Sequence, residues 1–460
     1  MNDHTPDWYP AHREPVGDDD HLPIRRDESL YTAPRPSRRK FLGIAAAAGA
    51  ATIGGGVLVS NGDDGAERVA TPERTSADPA LPTTTTRPLV ASADVAGRTL
   101  VVVELRGGND GLATLVPRNR GVLHDRRDSV HIPDEELLDF NDDFGWNPEL
   151  ENLAGHGVAA LLGIGSLDNP DGSHFEMERR WWAGNSSGND LPGTGFLGRL
   201  CDQLVADQPV TGISLGGGPS QALRSDKAVT VGLNDAQAGW FLRETEDPWF
   251  ATLRGAMADM ALGAPTSTLT PLDFARSGLS DTLSFAETLQ EIDDEFIRER
   301  YPNTHLGNSL GMAAQIIEQD AGIRVLHMSL GGFDTHSDQR GSHDQLLRQL
   351  GDAMGAFLGD IGDKGKAEST LVCTMSEFGR RVASNRRGTD HGEASLALLA
   401  GPIEAGTHGE MPSLTQLNDG NLASTVDFEQ YYATIAEKWF GIPSSEVLES
   451  STAPLEGIIT

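Results

Sequence analysis

Cysteine is nearly absent: Cys201 and Cys373 are the two in 460 residues. That excludes a disulfide scaffold. Both fall in segments that read as helix and strand, so buried thiols are expected rather than a bridge. Basic residues are also scarce, with 36 Lys and Arg against 68 Asp and Glu and a formal net charge of -32 at pH 7. Nucleic acids and anionic membrane surfaces need a basic face, so neither is expected as a partner. The turn RGGND at 106–110 has neither G-x-G-x-x-G nor Walker spacing, which argues against a nucleotide cradle. Neither Ser173 nor Ser376 sits in a G-x-S-x-G elbow, so a serine hydrolase built on either has no motif behind it.

Long, strongly apolar runs are missing as well. The nearest is AAAAGAATIGGGVLVS at 45–60, too rich in Ala and Gly for a typical membrane span, which needs about 20 strongly apolar residues. It follows SRRKFLG at 37–43, and the pair resembles a twin-arginine export signal. Residues 1–36 read as a disordered leader, 37–60 as the signal segment and 61–97 as a Thr/Pro-rich linker. The expected product is exported, to the periplasm, cell envelope or medium, and an uncleaved signal would be its membrane attachment. Residues 98–460 show no second linker and no repeat, so one domain is expected there.

Within that region apolar runs alternate with helical spacing. TLVVVEL (99–105), VAALLGIG (158–165), VTGISLG (210–216), AVTVGL (228–233), GIRVLHMSL (322–330), STLVCTM (369–375) and SLALLAG (395–401) read as strands. Helices are expected at 174–184, 247–262, 281–301, 345–363 and 427–441, with Ser173 and Asp427 as N-caps. The pattern predicts an α/β fold, a mainly parallel central sheet with helices on both faces. Ligands of such sheets sit beyond the carboxyl ends of the strands.

Three strands end in polar, glycine-flanked turns. RGGNDG carries Asp110, GGFDTHSDQ carries Asp334 and His336, and SEFGRR carries Ser376, Glu377 and Arg380. GTDHG adds Asp390 and His391. If the strands are parallel neighbours, these groups meet at one edge. Carboxylates with imidazoles suit zinc, manganese or iron. The expected ligands of one or two such ions are Asp110, Asp334, His336, Glu377, Asp390 and His391. Ser173 and His174 at a helix start, with Arg380 as a clamp for an oxyanion, form the expected catalytic set.

VVVELRGGNDGL, DGSHFEMERRWWAG, TGFLGRL, LGGFDTHSDQ, TMSEFGRRVASNRRGTDHG and TVDFEQYYATIAEKWFGI occur in an order that resembles the bacterial family called domain of unknown function 1501. That family is similar in fold to the alkaline phosphatase and sulfatase superfamily, α/β enzymes with two metals at the strand ends. The resemblance implies that Asp110 matches the first-strand aspartate ligand and that Ser173 lies near the nucleophile. It likewise implies Asp334 and His336 as an Asp/His ligand pair and His391 as the late histidine. One departure stands out: where the superfamily presents Asp-His, this chain has Glu377-Phe378. Two functions are therefore expected as alternatives. One is a metal-dependent hydrolase of phosphate or sulfate esters on a small or polymeric substrate. The other is a non-catalytic envelope binding protein with a degenerate or single-metal site.

Overall fold

The chain is described by a computed structural model over residues 97–204, 210–234, 248–262, 271–290, 292–450 and 452–460. The leader, the signal segment and all but the last residue of the linker lie outside the described residues. No described helix is long and apolar enough to cross a membrane.

In strand β1 (Thr99–Arg106) every residue but Arg106 is buried. A run without polar alternation needs cover on both faces. Val101, Val103 and Leu105 enter one core, while Leu100 and Val102 enter another. The elements that follow are β2 (Val158–Gly165), α1 (His174–Ala183), α2 (Phe196–Leu204), β3 (Val210–Leu215), β4 (Val229–Leu233), α3 (Pro248–Ala261), α4 (Pro271–Gln290), α5 (Asp294–Arg300) and α6 (His305–Gln319). Then come β5 (Val325–Gly331), α7 (Gln339–Asp363), β6 (Thr370–Met375), β7 (Arg380–Ser384), β8 (Thr389–His391), β9 (Ser395–Ala400), β10 (Gly406–His408) and α8 (Phe428–Thr434). Helices α6 and α7 fill the first core with Leu310, Ala313, Leu350 and Met354. Helices α1, α2 and α8 fill the second with Trp181, Leu200 and Tyr431.

The main sheet runs β10-β2-β9-β6-β1-β5-β3-β4. Strand β1 pairs in parallel with β5 and β6, and β5 pairs in parallel with β3. Strand β9 is antiparallel to both its neighbours. The α/β class and mainly parallel sheet are thus observed. Register matters for the site: Arg106 faces Gly331 and Glu104 faces Met375. The residues after β1, β5 and β6 therefore leave the sheet along one edge.

The helix expected over 281–301 is two elements, α4 ending at Gln290 and α5 starting at Asp294. Asp293 caps α5, its carboxylate accepting from the Glu295 and Phe296 N–H groups, so its side chain starts a new helix. The C-terminal helix carries the capping box of Asp427 and Gln430 and continues after Thr434 as a π-helical turn, Ile435–Trp439. Cys201 and Cys373 are free and buried.

Candidate metal centre

The loop after β1 is shaped by close approach. Gly107 has φ +113°, and a Cβ there would lie 2.4 Å from the Asp334 backbone nitrogen. A Cβ on Gly108 would lie 2.5 Å from the Phe378 ring. Only glycine lets the three strand ends pack this tightly. The gap holds side chains that follow β5 and β6, others from β8 and one from the start of α1.

At its centre is one oxygen, Asp334 Oδ1. His391 Nε2 and His336 Nε2 each lie 3.0 Å from it, and His174 Nε2 lies 3.5 Å away. His336 Nε2 and His391 Nε2 are 2.9 Å apart. The far nitrogen of each ring faces an acceptor. His174 Nδ1 is 2.8 Å from Glu377 Oε1, His336 Nδ1 is 3.2 Å from Asp390 Oδ1, and His391 Nδ1 is 2.7 Å from the Gly172 carbonyl. A carbonyl or carboxylate can only accept, so each Nδ1 carries a proton, and in the neutral ring Nε2 then keeps the lone pair that a metal takes. His174 Nε2 is buried and has no hydrogen-bond partner. Electron pairs from three imidazoles thus converge on a carboxylate oxygen, an arrangement that a cation relieves. Imidazoles tied at their outer nitrogen are the usual support of metal-binding histidines. His174, Asp334 and His391 offer ligand atoms within 4.8 Å of one another, the one such group of three or more among the described residues. The donor set fits a divalent ion of the zinc, manganese or iron type.

Burial by itself would raise the Asp334 carboxyl, but the hydrogen bond from the Arg380 guanidinium outweighs it and holds the group well below the usual carboxylate range. The Glu377 hydrogen bond raises His174 above an ordinary histidine. For Asp390 the Asn385 hydrogen bond does most to lower the carboxyl, with His336 adding to it.

The expected site residues fall into different places. Asp334, His336 and His391 are in the cluster. His174, expected as a catalytic group, is there as a ligand-type imidazole. Glu377 and Asp390 stand one layer out, holding His174 and His336; Glu377 Oε1 also accepts from the Gly107 N–H at 2.7 Å. Asp110 is elsewhere: fully buried, it is closed by Arg127 Nη1 at 2.6 Å and by Gln339 Nε2. Its charge is already neutralised by a guanidinium, which is poor company for a cation. Arg380 is not a free clamp. Its side chain is fully buried and donates to the carbonyls of Gly107, Gly108, Phe333 and Thr389 and to Asp334 Oδ1. Ser173 is exposed at the head of α1; its hydroxyl caps no helix N–H, and its backbone N–H instead donates to Asp171 Oδ1 at 2.7 Å.

Asp110 and His343 make an acid-sensitive pair behind the site, with His343 Nε2 3.1 Å from Asn109 Oδ1. Burial pushes His343 below its ordinary pKa. In Asp110 burial opposes ionisation, but Arg127 prevails and the carboxyl is lowered. Both groups bind fewer protons folded than unfolded. Stability is therefore full above about pH 6.5, and it is lost first to His343 and then, below about pH 4, to Asp110. The expected result, with metal chelated, is a urea midpoint that falls between about pH 7 and 5. His343→Gln should flatten that part of the profile; an unchanged slope would contradict this assignment.

Three G-x-S-x-G spacings do occur, GNSSG at 184–188, GISLG at 212–216 and GNSLG at 307–311. Ser186 follows the end of α1, Ser214 is buried within β3 and Ser309 within α6, so none is a strand-to-helix elbow. The cluster His174, Asp334, His336, Asp390 and His391 lies within residues 166–449, where the sequence matches the model of the family described as "Protein of unknown function (DUF1501)". The chain belongs to the DUF1501 family. The match begins beyond β1, so Asp110 lies outside it. No curated protein matches this DUF1501 chain by sequence.

Solved structures similar to this DUF1501 chain include Ps i-CgsB in complex with k-i-k-neocarrahexaose, at TM-score 0.37 and 10% identity over 77% of this chain and 75% of that one. The PsFucS1 sulfatase from Pseudoalteromonas sp. gives TM-score 0.35 and 12% identity over 78% and 70%. The lipoteichoic acid synthase LtaP from Listeria monocytogenes gives TM-score 0.35 and 8% identity over 79% and 76%. At such scores nothing of their chemistry transfers.

Proposed function

We propose that this protein is a metal-dependent hydrolase of phosphate or sulfate esters, exported by the segment at 37–60. One observation carries the reading: three imidazole Nε2 atoms, each fixed through Nδ1, surround Asp334 Oδ1, and Asp334 and His174 line a cleft of about 330 Å³. His174, Asp334, His391 and His336 would hold the ion, with zinc, manganese or iron the matching metals. A divalent cation there would polarise an ester oxygen and bring the pKa of a water to about 7.

The chain's own residues supply orientation. Glu377, Asp390 and the Gly172 carbonyl fix the three rings, and Arg380 fixes the carboxylate, so the donors need no rearrangement to receive a charge. The cleft is lined by Arg106, Glu178, Ser329 and Gly332 beside His174 and Asp334, with room for a small ester. Water fits the nucleophile's part better than Ser173, which is exposed and does not line the cleft.

The consumed state of Arg380 favours a second reading, a single-metal binding protein without turnover. Metal analysis of the purified full chain, followed by an aryl phosphate and aryl sulfate panel, decides between them. The hydrolase predicts about one ion per chain, turnover abolished by His391→Ala, and turnover within a few-fold of normal in Ser173→Ala. Metal without turnover on either ester class selects the binding protein. Absence of stoichiometric metal removes both.

A further inference from the structure

Arg380 cannot receive an anionic ligand, yet the cleft beside the cluster contains a second guanidinium that can. Arg106 ends β1, and its side chain is 45% exposed. It lines the same cleft as His174, Asp334 and Glu377. Its ion-pair partner is Glu178, with Arg106 Nη2 2.8 Å and Nε 2.9 Å from Glu178 Oε1. Both contacts go to one carboxylate oxygen, so the guanidinium fork is not engaged bidentately. Its guanidinium lies over the Trp182 ring, the central carbon 5.8 Å from the centroid. Glu178 sits one helical turn after His174 and one before Trp182, so the three share a face of α1. Trp182 is in turn held by its indole N–H, which donates to Glu104 Oε1 at 2.8 Å.

We propose that Arg106 is the residue that reads the charged group of an oxyanion ligand, phosphate or sulfate, and that Glu178 is its stand-in when the cleft is empty. A tetrahedral oxyanion offers a guanidinium two oxygens, where Glu178 offers one. Arg106 and Glu178 line the same cleft, so the exchange asks only that the guanidinium swap one cleft-side acceptor for another. Glu178 is set for release: burial raises its carboxyl, Arg106 opposes that, and Glu377 and Glu104 repel it. The assignment rests on the metal-centre reading for its role in hydrolysis, but anion binding at Arg106 can be measured separately.

The test is calorimetric titration of inorganic phosphate and of inorganic sulfate into the full chain, as the zinc-loaded protein and again after chelation, with metal content measured on each sample. Arg106→Ala should weaken anion binding ten-fold or more at unchanged metal content. Arg106→Lys, which keeps the charge without the fork, should fall between. Glu178→Gln should tighten binding several-fold, because the competing carboxylate is gone. That opposite sign is the discriminating result, since a merely structural pair would weaken binding from either side. Unchanged affinity in Arg106→Ala, equal weakening in both single variants, or no anion binding by the parent protein would each overturn the assignment. A chain that holds no metal yet binds phosphate through Arg106 would uphold it while removing the hydrolase.

Discussion

Asp334→Ala is expected to leave the purified protein with less than about a tenth of the parent's metal. The carboxylate is the one anionic atom that all three Nε2 groups surround. Its loss removes a ligand and also strands the guanidinium of Arg380, whose Nη2 lies 2.9 Å from Oδ1 and whose side chain is fully buried. An unbalanced positive charge would then stand beside the place of the ion, so the effect should exceed that of losing one neutral imidazole. Ion content by mass spectrometry is the direct measurement. A second is stability: metal at about 100 times its Kd should add about 2.7 kcal/mol to the parent and nothing to the variant. Asp334→Asn keeps the shape and loses the charge. If it retained full metal, the neutral imidazoles alone would hold the ion and the central place given to this carboxylate would be wrong.

The parts of this site that could be read from the sequence are those signalled locally. Strands β1, β5 and β6 are largely buried and so appear as mainly apolar runs, and the rule that ligands lie beyond strand ends then brings out Asp334 and His336, with His391 read from the nearby GTDHG segment. What was hidden depends on partners far along the chain. Asp110 looks like any strand-end ligand until Arg127 is seen closing it. Arg380 looks like a free cation because most of its acceptors are backbone carbonyls of Gly107, Gly108, Phe333 and Thr389, which no residue type announces. His174 becomes a ligand-type imidazole because Glu377, distant in sequence, takes its Nδ1. Helix α6 was obscured by its own packing. Gly307 and Gly311 dilute the apolar period, yet a Cβ on Gly311 would lie 2.9 Å from Ile297, so small residues are what let α5 pack against it. The Glu377-Phe378 departure also has a structural sense: Phe378 is buried under Gly108, and its ring lies 4.8 Å from the rings of His174 and His391. A histidine's usual place is taken by an apolar wall against which two ligand imidazoles rest.

Arg380→Ala should be the most destabilising single change at the site, costing about 3–5 kcal/mol, since several buried carbonyls lose a donor at about 1–3 kcal/mol each. The guanidinium ties three separate segments: the loop after β1 through the Gly107 and Gly108 carbonyls, the loop after β5 through Phe333 and Asp334, and the β7–β8 hairpin through Thr389. The Phe333 carbonyl keeps its bond from the Thr335 N–H, but those of Gly107, Gly108 and Thr389 lose the guanidinium's donation where water has little access. Arg380→Lys restores one charge but cannot span the acceptors, because an ammonium lacks the planar fork. It should recover only a minor part of the loss. Urea denaturation of the metal-free protein isolates this structural role from any loss of metal. A cost below about 1 kcal/mol, the scale of an exposed ion pair, would show that the guanidinium is not the tie it is taken to be. If instead Arg380→Ala folded well and lost only anion affinity, Arg380 and not Arg106 would be the group that meets the ligand. The two arginines are thus separable by measurement: one should move stability, the other affinity.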